Sequence, residues 1–279
     1  MTKTLIIGCG DLGQAIATQL ASLGFNTFGV RRQAATLAGV HMLQADVTQP
    51  ENLAQLVDIQ PEILIYCVAA NGQTDAQYQA HYVEGLRNVL ATQVKNTNLK
   101  HVFFVSSTRV YGQVTDELLD ENTPAIAADF GGERLLEAER LLTNLPCQHT
   151  ALRLSGIYGV GRLRMINLAQ DPNTWPTKNS WTNRIHRDDA AHFIVHLVQQ
   201  VALQTPVLPC YIVTDSAPVS QYEVLHWLAT QMQVPYDTKM PPIAGGKRLS
   251  NQALLASGFQ LQHADYRSGY AALLAAQGV

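Results

Sequence analysis

The feature that most constrains this chain is a set of three glycines, Gly8, Gly10 and Gly13, spaced G-x-G-x-x-G. They directly follow the apolar run Thr4-Leu5-Ile6-Ile7 and open an amphipathic stretch. A strand that turns at once into a helix needs a residue without Cβ at the turn, which Gly8 supplies. Gly10 leaves the backbone bare where an anion can approach. Gly13 lets helix and strand pack closely, and the unpaired N–H groups of the first helical turn, around Asp11 and Leu12, face that anion. In this context the spacing predicts a dinucleotide pyrophosphate site; the plainer alternative is a glycine turn with no ligand.

Short apolar runs then alternate with amphipathic ones. Strands are expected at about 3–8, 26–30, 41–45, 62–68, 101–106 and 149–154, and helices at about 11–23, 51–58, 75–97 and 131–144. Parallel strands linked by helices give this pattern. The strands Leu64-Ile65-Tyr66-Cys67-Val68 and Val102-Phe103-Phe104-Val105 lack polar alternation, as when helices cover both faces of a sheet. The fold class is therefore α/β, a doubly wound parallel sheet (Rossmann fold) with a small C-terminal lobe. Asp171-Pro172 to Trp175-Pro176 and Met240-Pro241-Pro242 interrupt the pattern, while a helix from Asp188 to about Gln200 and a strand Cys210–Val213 resume it. The expected division is 1–160 plus about 186–230 for the sheet domain, and about 161–185 plus 231–279 for the lobe.

A hydrophobic share of 47% against 15% charged residues excludes a disordered chain. With 19 Lys and Arg against 22 Asp and Glu, the net charge of −3 supplies no basic field, so neither nucleic acid nor an anionic membrane is an expected partner. Cys9, Cys67, Cys147 and Cys210 lie far apart without metal-ligand spacing and read as small core hydrophobes of a reducing compartment. No apolar run approaches a membrane span or a signal peptide, and a cytoplasmic location is expected.

The second strand ends in Arg31-Arg32. An acid there would accept bonds from an adenosine ribose but repel a 2′-phosphate, whereas two guanidiniums grip that phosphate through charge-assisted bonds of about 1.5–3 kcal/mol each. NADP(H) is therefore favoured over NAD(H), against the alternative of two solvated arginines. Asp46-Val47, ending the third strand, can place a carboxylate and backbone beside the adenine, or Asp46 can simply cap the next turn.

Taken together, GCGDLG at 8–13, Val68-Ala69-Ala70, YVEGLRNVL at 82–90, VSSTRVYG at 105–112, LRLSGIYGVGR at 152–162 and IHRDDAA at 185–191 carry a resemblance over nearly the whole chain. They resemble the extended short-chain dehydrogenase/reductase superfamily, of the NAD(P)-dependent epimerase/dehydratase type. The resemblance implies oxidation or reduction of a sugar carbon, a small-molecule substrate such as a nucleotide-sugar, and a homodimer through helices matching 75–97 and 131–144. It also implies that Val68, Ala69 and Ala70 line the nicotinamide-ribose side, that Ser106 and Ser107 follow at the next strand end, and that Ser107 binds the substrate oxygen. Arg153 falls on the strand leading to the substrate lobe.

The departures are specific. Active relatives carry Tyr-x-x-x-Lys where this chain has Phe130-Gly131-Gly132-Glu133-Arg134, and an asparagine where it has Tyr82. A tyrosine base must fall from a pKa of about 10 toward 7, roughly 4 kcal/mol supplied largely by the neighbouring cation. Phe130 has no proton to give. Arg134 substitutes a planar fork for a compact ammonium, although it can still hold ribose hydroxyls or a phosphate. Ser107 and Tyr111 are the candidates for displaced proton chemistry, with Tyr82 a further phenol; cleft-lining tyrosines with satisfied hydroxyls are the ordinary alternative.

His192 and His196 share a helix face without a third ligand, and His186 reads as a turn partner of Asp188. No G-x-S-x-G surrounds a serine. Arg162, Arg164 and Arg184 fall in the expected lobe and suit an anionic substrate, or solvent. Three readings stand: an NADP(H)-dependent oxidoreductase or epimerase-like enzyme, a non-catalytic NADP(H)-binding sensor or scaffold, and a relic of the fold with no cofactor.

Overall fold

The computed structural model describes residues 1–276; positions 277–279, the end of the expected lobe, lie outside the described residues. Seven strands form one parallel sheet. They are β1 (Lys3–Ile7), β2 (Asn26–Arg31), β3 (Val40–Gln44), β4 (Ile63–Tyr66), β5 (His101–Ser107), β6 (Gln148–Leu154) and β7 (Cys210–Val213), in the order β7-β6-β5-β4-β1-β2-β3. Leu5 lies opposite Phe28 on one side and Leu64 on the other, and Ile65 lies opposite Phe103. Leu5, Ile6, Ile7, Leu64, Ile65, Tyr66, Phe103 and Phe104 are all fully buried. Consecutive burial requires cover on both faces, which explains the missing polar alternation.

The order runs outward in both directions from β1 and β4. Their carboxyl ends therefore flank the switch point, where loops diverge and leave a crevice.

The helices of eleven residues or more among the described residues are α1 (Asp11–Ser22), α3 (Phe130–Leu142), α4 (Arg187–Ala202), α5 (Gln221–Gln231) and α6 (Tyr266–Ala276). Between α1 and α3 runs α2, built of Asp75–Tyr78, a π-helical Gln79–Glu84 and Gly85–Thr92. Two elements differ from expectation. The helix expected over 75–97 stops at Thr92, where side chains replace helical bonds: Gln93 Nε2 donates to the Leu56 carbonyl at 3.0 Å and Asn96 Nδ2 to that of Pro61 at 2.8 Å. The stretch near 51–58 is a 3₁₀ helix over Pro50–Leu56, begun by a proline with φ already set for a tight turn.

The chain divides into two compact units. The first holds Met1–Gly112, Ala125–Arg153 and Ala191–Tyr211; the second holds Gln113–Pro124, Leu154–Ala190 and the chain from Ile212 onward. The second has its own core, with Tyr158, Trp175, Tyr222, Leu225, Tyr266 and Tyr270 packed together. No helix among the described residues is long and apolar enough to cross a membrane.

Candidate functional site

The glycine turn is built by close approach. Gly8 has φ of +94°, and a Cβ on it would lie 2.5 Å from the Cys67 carbonyl oxygen at the end of β4. A Cβ on Gly13 would lie 2.3 Å from the Gly8 carbonyl oxygen, so α1 can begin only if this position is bare. Gly10 differs: nothing lies within 4 Å of its would-be Cβ. Its openness gives no packing reason for glycine, but it leaves room for a group approaching the backbone. No side chain caps α1, whose N-terminus carries the positive end of the helix dipole. A bare backbone, uncapped N–H groups and a switch-point crevice fit a pyrophosphate.

Around this turn, Arg31 is half-buried and Arg32 exposed at the end of β2. Asp46 closes a turn by accepting from the Thr48 N–H at 2.9 Å and its hydroxyl at 2.8 Å, and the Val47 carbonyl accepts from Asn88 Nδ2 at 2.9 Å. Beyond β4, Val68 and Ala70 are half-buried and Ala69 is exposed. Burial pushes the Tyr82 phenol above its ordinary range.

At the end of β5 the two serines part. Ser106 is buried and donates to Glu139 Oε1 of α3 at 2.6 Å; Ser107 is half-buried, with Oγ accepting from the Arg109 N–H at 3.2 Å. Glu139 also receives the Arg153 guanidinium at 3.1 and 2.7 Å, and Arg153 donates to the Tyr111 phenol at 2.6 Å. Burial works against the charge of Arg153, but its bonds to Glu139 outweigh burial and hold it above the ordinary range. Tyr111 is fully buried in this network.

Phe130 and Arg134 occupy the first turns of α3. Arg134 is held by Asp75 at 2.7 Å and Glu137 at 2.8 Å. Phe130 meets Tyr78 edge-on, ring centroids 5.5 Å apart, and Tyr78 meets Tyr82 at 5.1 Å. Over Tyr78 and Phe130 lies the guanidinium of Arg109, at 5.0 and 5.1 Å from the ring centres. Its Nε donates to Asp129 at 3.0 Å, and its Nη1 donates to Gln73 Oε1 at 3.0 Å and to the Tyr78 phenol at 2.8 Å. Asp129 also caps α3 by accepting from the Gly132 N–H at 2.9 Å.

Sequence reasoning missed Arg109. The signal was the Gly131-Gly132 pair, unfavourable inside a helix. A Cβ on Gly131 would lie 2.4 Å from Arg109 Cζ, and one on Gly132 would lie 2.7 Å from the Arg109 carbonyl. The pair makes room for the arginine and its backbone.

A sequence model of the NAD-dependent epimerase/dehydratase family matches residues 4–207. The chain belongs to that family. Among solved structures, one from Methylobacillus flagellatus, named for the NAD-dependent epimerase/dehydratase class, is 52% identical over 100% of this chain and 99% of its own, with a TM-score of 0.91. The Bordetella bronchiseptica enzyme WbmG, in complex with NAD and UDP, is 17% identical over 98% and 93% of the two chains, at a TM-score of 0.79. The Campylobacter jejuni UDP-Glc/GlcNAc 4-epimerase is 15% identical over 95% of each chain, at 0.77. The last two show the fold alone. No curated protein matches the chain.

In the second unit of this epimerase/dehydratase chain, Arg184 is buried, donates from Nη2 to Thr182 Oγ1 at 2.6 Å and lies over Tyr266 at 5.4 Å, while Arg162 and Arg164 are exposed. His186, Asp189 and His263 hold possible ligand atoms within 4.8 Å of one another. The two Asp189 oxygens, however, each accept a backbone N–H, from Gln262 at 2.7 Å and His263 at 2.9 Å. His192 and His196 are half-buried on α4.

Proposed function

We propose that this chain is an NADP(H)-preferring oxidoreductase or epimerase of its family, acting at a hydroxyl- or carbonyl-bearing carbon of a nucleotide-sugar or another small substrate. The observation that carries the reading is the bare Gly10 backbone at the uncapped start of α1, beside a switch point whose next strand end presents Ser107. The dinucleotide, when bound, supplies or accepts the hydride. Gly10 and the first turn of α1 hold its pyrophosphate, Arg31 and Arg32 its 2′-phosphate, and Val68–Ala70 its nicotinamide ribose. The bond from the Arg109 N–H uses a lone pair of Ser107 Oγ and leaves its hydroxyl proton for a substrate oxygen. Tyr111, fully buried with its phenol bonded by Arg153, serves the β5 end as a packing partner, so the proton step falls to Ser107 or to water.

The test compares Ser107→Ala and Tyr111→Phe with the native protein for turnover of nucleotide-sugars and for NADPH affinity. Turnover lost in Ser107→Ala with affinity unchanged supports the reading; unchanged turnover in both variants removes the proposed site.

A second reading, an NADP(H)-binding sensor without catalysis, draws support from Phe130, which has no hydroxyl, and from Arg134, whose donors are taken by Asp75 and Glu137. It predicts a cofactor-dependent change in oligomeric state, and identical sedimentation with and without NADPH would count against it.

A further inference from the structure

Arg109 is built into its place with more care than a surface arginine requires. Asp129 fixes Nε, while Gln73 and the Tyr78 phenol fix Nη1. Two rings support the plane, and Gly131 is bare where the guanidinium lies. Nη2 makes no hydrogen bond among the described residues, and the side chain keeps 29% of its exposure. The helix N-terminus beside it is already used, because the Asp129 carboxylate accepts from its N–H groups. What remains is one guanidinium nitrogen, Nη2, without a hydrogen-bond partner among the described residues on a part-exposed side chain, and the same residue's backbone N–H is bonded to Ser107 Oγ. A planar fork immobilised in this way loses little entropy on meeting an oxygen, and a partly desolvated cation favours an oxygen that carries or develops negative charge.

We propose that Arg109 is a substrate-binding residue of the site, its Nη2 edge acting with Ser107 Oγ to hold the negatively polarised oxygen at the reacting end of the substrate. The inference rests on the oxidoreductase reading above and deepens it. It gives a physical reason for a chain with phenylalanine at 130: a fixed cation stabilises an oxyanion without a phenol to exchange its proton.

The test measures UDP-glucose and UDP binding by calorimetry, with dinucleotide present, for native protein, Arg109→Met and Ser107→Ala. Methionine keeps an apolar stem between the two rings and removes every donor, and thermal denaturation reports whether the fold survives. In Arg109→Met, UDP-glucose should bind about tenfold more weakly while UDP changes by less than about threefold, and millimolar guanidinium chloride should restore part of the loss. Unchanged UDP-glucose affinity overturns the proposal. So does an equal loss for both ligands, which would place Arg109 at the diphosphate or in the fold. A native protein that binds dinucleotide but neither UDP ligand overturns the nucleotide-sugar reading and this inference with it.

Discussion

Replacing Glu139 by alanine should cost far more than its position on a helix suggests. Glu139 and Arg153 form a two-pronged ion pair at 3.1 and 2.7 Å, with each side chain only 12% exposed. Removing one partner of a buried pair leaves the other charge uncompensated, at about 3–5 kcal/mol. Ser106, 4% exposed, also loses its acceptor, which adds about 1 kcal/mol. For a chain of this size each kcal/mol moves the melting temperature by about 2–4 °C, so Glu139→Ala should melt about 8–24 °C lower. The assay is thermal and urea denaturation followed by circular dichroism. The double variant Glu139→Leu with Arg153→Met removes both charges and should recover most of the loss. A fall of less than about 2 °C in the single variant, or a double variant no better than the single, would refute the reasoning.

The glycine turn offers a contrast. Gly13→Ala places a Cβ 2.3 Å from the Gly8 carbonyl oxygen and should lose roughly 1–3 kcal/mol of stability. Gly10→Ala, with nothing within 4 Å, should melt like the native protein yet lose dinucleotide affinity, as calorimetry would show. Asp215 supplies a pH prediction. Burial raises its carboxyl from 3.8 to about 7 against the opposing Arg184, so the folded state holds a proton that the unfolded chain releases. Its contribution is complete below about pH 4 and is lost as pH rises through about 7, a span worth up to about 4 kcal/mol. Asp215→Asn should therefore gain melting temperature relative to the native protein at pH 8 and lose that advantage at pH 4; a difference independent of pH would contradict the assignment.

The sheet was legible because β1, β4 and β5 bury consecutive side chains on both faces, and only covered parallel strands tolerate such runs. The glycine turn was legible because two close approaches to backbone, at Gly8 and Gly13, and one open position, Gly10, leave glycine at fixed offsets. Pairings across the chain were not. Arg134 shows in sequence as a substituted lysine, but its ion pair with Asp75 comes from a helix far earlier in the chain. Tyr111 lies near Ser107 in sequence, yet the turn over Thr108–Val110 sends its ring into the interior beneath Arg153. The environment of Arg109 joins Gln73, Tyr78 and Asp129, whose convergence no periodicity encodes. Nor does a change in composition mark Gln113–Pro124 as part of the second unit.

The most direct measurement is a calorimetric titration of cofactor-stripped protein with NADPH, NADP⁺, NADH and NAD⁺, repeated on Arg31→Asp. The account predicts one dinucleotide per chain, tighter binding of the 2′-phosphorylated pair, and loss of that preference in the variant. Binding of none of the four would contradict the cofactor site built on Gly10 and α1.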